Sequence, residues 1–110
     1  MMARLVAVLL VGMLLAVGCS PGGATPAAGE VEVVIQNFAF TPQRVTVAAG
    51  TTVRWSQKDS AAHTATSDKG TFDSGNLSQG RTFSFKFSQA GTYEYHCSVH
   101  PNMKATVVVQ

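Results

Sequence analysis

The stretch Phe83-Ser84-Phe85-Lys86-Phe87 puts three aromatic rings on one side of an extended backbone and two polar side chains on the other. Apolar positions on a helix recur every three to four residues, so this period of two calls for a sheet with one buried face. The same alternation runs through Val31 to Ile35, Arg44 to Val47, Thr51 to Trp55, Thr92 to Cys97 and Ala105 to Val109. β-Branched and aromatic residues fill these runs, and Thr41-Pro42, Ala49-Gly50, Gly70, Gly75, Gly80 and Ala90-Gly91 separate them. Several short strands between residues 31 and 110, with no helical period, predict a compact antiparallel β-sandwich or barrel. Trp55, Phe83, Phe85 and Phe87 are assigned to its core. A domain this small has little core to spare, so a bound metal would add useful stability.

The first residues follow another pattern. Arg4 precedes an apolar run of 13 residues, Leu5 to Val17, which ends at Gly18-Cys19. A membrane span needs roughly 20 apolar residues, so residues 1–18 read as a signal peptide. The segment Leu15-Ala16-Val17-Gly18-Cys19 resembles the lipobox of bacterial lipoproteins, which implies a lipid on Cys19 after cleavage. Residues 19–30 then form a lipidated N-terminus and flexible linker. Its eleven residues Ser20 to Glu30, rich in glycine and proline, would reach about 18 Å. Residues 31–110 form the single folded domain.

Cysteine use sharpens the reading. The chain has two cysteines, Cys19 and Cys97; with Cys19 acylated, Cys97 is left as a lone thiol in an oxidising compartment. Such a thiol points to a reactive group or a metal ligand. Strand parity puts Tyr93, Tyr95 and Cys97 on the inward face and His96 on the outward one. His100 follows in a turn marked by Pro101, and Met103 is the only methionine after the signal peptide. Cys97-x-x-His100-x-x-Met103 thus carries thiolate, imidazole and thioether on one tight loop. A fourth ligand must come from elsewhere, and His63 is the remaining candidate besides His96. A sandwich can bring the loop after the Trp55 strand to the same end as the loop before the last strand.

Two histidines and a cysteine with a weak axial methionine are a blue-copper donor set. Zinc favours a further histidine, cysteine or carboxylate over a thioether, and haem attachment needs C-x-x-C-H.

The residues 31–67, 72–97 and 98–103 together resemble the cupredoxins, the plastocyanin and azurin superfamily. The two-residue gap between His100 and Met103 is similar to the amicyanin type of ligand loop. The resemblance implies an all-β, antiparallel Greek-key sandwich of about seven or eight strands. It implies one copper ion held by His63, Cys97, His100 and Met103, one-electron transfer as the function, and His100 near the surface as the electron route. Cupredoxins often carry asparagine after the first histidine, where it hydrogen-bonds across the site; Thr64 stands there in this chain. The segment Ser56-Gln57-Lys58-Asp59 also lacks the asparagine common after the tryptophan strand.

These features suggest an extracytoplasmic electron carrier, monomeric, membrane-anchored through its N-terminal lipid and serving redox protein partners. Copper storage or delivery is the alternative, although carriers of Cu(I) tend to use several methionines. A Cys97–His100 nucleophile pair has no evident orienting group or oxyanion donors, so an enzyme is not expected. Seven basic residues after the signal peptide against six acidic ones, with no basic stripe, give no reason to expect a nucleic-acid partner.

Overall fold

The computed structural model describes residues 29–110; the signal peptide, Cys19 and nearly all of the linker expected from the sequence lie outside the described residues. Eight strands follow in chain order: β1 (Glu30–Gln36), β2 (Ala39–Thr41), β3 (Arg44–Val47), β4 (Thr51–Gln57), β5 (Thr66–Ser67), β6 (Thr82–Phe87), β7 (Gly91–His96) and β8 (Lys104–Val109). All six alternating runs are strands. β2 and β5, three and two residues long, are too short to show a period and were not expected.

Two four-stranded sheets, ordered β2-β1-β4-β6 and β3-β8-β7-β5, face each other. The sheets are mixed, whereas the sequence suggested antiparallel pairing throughout: β1 runs parallel to β4, and β3 parallel to β8. The reason is connectivity. Between β1 and β4 the chain passes through β3 in the other sheet, and such a crossover can restore the original direction where a hairpin reverses it.

Register decides what the core contains. Trp55 pairs with Val33 on one side and Phe83 on the other, so one face of β4 lies under both neighbours. Its indole is fully buried and packs against Phe72, Phe83, Phe87 and Tyr95, with ring centroids 5.3 to 6.4 Å away. Phe87 is buried, but Phe83 and Phe85 are only half-buried. They share the inward side of β6, an edge strand whose outer flank has no neighbouring strand among the described residues.

Tyr95 is buried beneath the indole, and loss of hydration pushes its phenol pKa well above the ordinary value. Above pH of about 10 the unfolded chain releases this proton while the native state keeps it, so stability falls as pH rises. In a Tyr93→Phe variant, Tyr95 is the only phenol left. Its phenolate absorbance should therefore appear together with loss of the β-sheet circular dichroism signal. Ionisation of a still-folded protein would show that the ring reaches water.

Three connections meet at one end of the sandwich: the β1–β2 turn, the segment between β4 and β5, and the β7–β8 loop. The second of these carries His63 and the third carries Cys97, His100 and Met103.

Candidate metal centre

Alternation along β7 turns Tyr95 and Cys97 inward, and Cys97 lies just past the strand end with its sulfur fully buried. The chain then reverses within a short loop. The Cys97 N–H donates to the Met103 carbonyl at 3.0 Å, and the Met103 N–H donates to the His100 carbonyl at 2.9 Å. These bonds fold the six-residue spacing back on itself and bury the Met103 side chain at its far end. His100, on the outer part of the loop, is half-buried.

His63 arrives from the opposite side. It is fully buried. A pair of backbone hydrogen bonds with Leu77, at 3.2 and 2.8 Å, pins it inward. Its Nδ1 lies 3.7 Å from Cys97 Sγ and 3.2 Å from His100 Nδ1, and His100 Nδ1 lies 3.8 Å from Cys97 Sγ. Among the described residues, His63, Cys97 and His100 are the one group of three such side chains whose ligand atoms all lie within 4.8 Å of one another. His96 points away, as its parity requires, and pairs with Asp68 outside the site.

The chemistry of this arrangement favours a cation. His63 Nε2 faces a carboxylate oxygen of Asp59 at 2.8 Å. A neutral imidazole donating there carries its lone pair on Nδ1, which is aimed at Cys97 and His100. A soft sulfur and two imidazole nitrogens then converge on one point, with a thioether on the same loop. The donor set fits copper, and less well zinc or magnesium.

Thr64 takes over the position where cupredoxins often have asparagine. Its N–H donates to Cys97 Sγ at 3.3 Å, and its Oγ1 accepts the Ser98 N–H at 2.8 Å. Thr66 Oγ1 lies 2.8 Å from Thr64 Oγ1 and donates to Asp73 at 3.1 Å. With the Thr66 proton committed to Asp73, the Thr64 hydroxyl donates to Thr66 and keeps its lone pairs for Ser98. One hydroxyl therefore ties the His63 segment to the residue after Cys97.

Two other residues at the site have no counterpart in the sequence reading. The Asp59 carboxyl also accepts the N–H groups of Asn37 and Phe38, at 2.8 and 2.9 Å. Its pKa is lowered mainly by the Phe38 N–H; the Asn37 N–H and His63 act in the same direction, and burial opposes them. The Phe38 ring is 53% exposed and sits edge-on to both His63 and His100, with centroids 5.1 and 5.0 Å away. The only hint of these contacts in the sequence was the four-residue spacing of Asp59 and His63, which means little outside a helix.

Comparison with known proteins finds relatives that share the fold. The profile of the cupredoxin-like domain matches residues 6–109. The chain is 34% identical to amicyanin-alpha of Methylorubrum extorquens, over 94% of this chain and 87% of that protein. A solved variant of amicyanin in its oxidised state superposes with a TM-score of 0.71 at 29% identity, covering 74% of this chain and 83% of that one. A copper-containing nitrite reductase from Thermus scotoductus gives a TM-score of 0.69 at 26% identity over 74% of this chain, which spans only 22% of the reductase.

Proposed function

Because the chain belongs to the cupredoxin-like domain family, we propose that it is a type 1 (blue) copper protein carrying single electrons between redox partners outside the cytoplasm. The observation that carries this reading is the convergence of His63 Nδ1, Cys97 Sγ and His100 Nδ1 within 4.8 Å, with Met103 buried on the same loop. These four residues are the proposed ligands. Copper held there would supply a one-electron couple between Cu(II) and Cu(I).

The protein's part is to fix the donors in advance. Cys97 and His63 are fully buried, on segments joined by the Thr64 hydroxyl, so neither can follow the preference of one oxidation state without disturbing the sandwich. Burial keeps water from the sulfur. His100, half-buried at the end of the domain, gives an electron a short path to a docked partner. The reading is of a carrier and not an enzyme; the reductase that shares the fold is a much longer chain.

The same proposal covers the N-terminus: residues 1–18 as signal peptide, Cys19 as lipid attachment site, 19–30 as linker and 31–110 as the copper domain, held at the outer side of a membrane. The apolar run and Gly18-Cys19 support it.

The test is addition of Cu(II) to the purified protein. One equivalent should give an intense blue colour that is bleached by a one-electron reductant and restored by an oxidant, with fast self-exchange by NMR line broadening. A colourless product would sink the proposal. Slow redox with ready loss of copper to a chelator would favour storage or delivery instead.

A further inference from the structure

We propose that Asp59 is a positioning residue of the site, a single carboxylate that fixes both the His63 ring and the turn carrying Phe38 over the two histidines. The proposal rests on the copper reading only for its functional consequence; the contacts themselves belong to the protein alone.

The β1–β2 connection is a two-residue hairpin loop, with Gln36 paired to Ala39 and Asn37 and Phe38 between them. Both loop residues have φ of 55°, the left-handed conformation that such a tight turn requires. Asparagine tolerates it. For a bulky residue such as Phe38 it is a strained conformation. A distant side chain holds the backbone of both turn residues. Asp59 Oδ1 accepts the Asn37 N–H, and Oδ2 accepts the Phe38 N–H together with His63 Nε2–H. Three donors meet two carboxylate oxygens, and hydrogen bonds to a charged acceptor are the strong kind.

Asp59 is in turn held from behind. Its own N–H donates to Gln57 Oε1 at 2.6 Å, and the fully buried Gln57 amide donates to the carbonyls of Ala61 and Leu77 at 2.8 and 3.0 Å. Leu77 is the residue that pins the His63 backbone. Gln57 therefore sets the segment, Asp59 sets the ring, and the strained turn keeps Phe38 edge-on to both imidazoles. Removing the carboxylate would free the His63 tautomer and the Phe38 turn together.

The experiment compares wild type with Asp59→Asn, first without copper. An asparagine of equal size presents one acceptor and one donor group to three N–H donors, so at least one contact must fail. In wild type, heteronuclear NMR should show His63 protonated on Nε2, and slow exchange of that proton and of the Phe38 amide despite the exposed ring. In Asp59→Asn, at least one of these protons should exchange more than about tenfold faster and the His63 tautomers should mix. Copper should then bind about 10–100-fold more weakly, the usual effect of losing a partner behind a metal ligand. Fast exchange of both protons in the wild type would overturn the proposal, even if the variant fails to fold. So would a variant with wild-type exchange and tautomer, or one with altered exchange and unchanged copper affinity. A wild type that takes up no copper would sink the function proposed above, while the copper-free spectra would still decide the role of Asp59.

Discussion

Cys97→Ala should give a folded protein that stays colourless in Cu(II). The intense colour of a blue site comes from the bond between copper and thiolate, and Cys97 is the only sulfur in the group of three. Copper affinity should fall by more than about 100-fold, beyond the loss expected from merely disturbing a residue behind a ligand. The fold should tolerate the change. Sγ is small and buried, and it accepts the Thr64 N–H at 3.3 Å, so the loss should be about 1–3 kcal/mol. Visible absorption, electron paramagnetic resonance and a thermal melt on one sample check all three points. Blue colour that survives in the variant would mean that another sulfur holds the metal, and the assignment of Cys97 would fail.

Trp55→Ala should cause the largest loss of stability available from a single side chain in the domain. The indole is fully buried and touches Phe72, Phe83, Phe87 and Tyr95 from both sheets. Truncation leaves a cavity between sheets that cannot close without moving paired strands, so the cost should reach about 3–5 kcal/mol. Domains of this size have about 5–15 kcal/mol in total, and each kcal/mol shifts Tm by about 4–8 °C, so a fall on the order of 20 °C is expected. Circular dichroism is the measurement to use, since the substitution removes the only tryptophan. The effect should reach the metal centre as well, because Tyr95 packs under the indole and lies two residues before Cys97. A loss below about 1.5 kcal/mol, the range of volume-conserving swaps, would mean that the two sheets can collapse into the gap.

The sequence was readable wherever a contact depended on local geometry. Phe83, Phe85 and Phe87 had to share a face, and so did Tyr95 and Cys97, because extended backbone alternates its side chains whatever surrounds it. Parity placed His96 outside in the same way. It could not show that Phe83 and Phe85 would be only half-covered, because that depends on β6 lying at a sheet edge. It also could not distinguish mixed from antiparallel sheets, since strand direction depends on which sheet each connection crosses to.

The site divides along the same line. Cys97, His100 and Met103 lie on one short loop, so their spacing alone marked them as a group with metal-binding character. His63 could be named only as the remaining histidine, since its position 3.7 Å from Cys97 spans 34 residues of chain. Asp59 is farther from view: it reaches back 21 and 22 residues to Phe38 and Asn37 and forward four to His63. The sequence by itself determined the six longer strands, their inward faces and the kinds of donor atom, because a two-residue period and a tight loop are properties of neighbouring residues. Only the tertiary structure decided which polar atoms meet, which nitrogen of His63 faces the Asp59 carboxylate, and that Thr64 makes the cross-site bond. Those depend on three segments closing at one end of the sandwich, and on which hydrogen-bond partner each buried polar atom finds there.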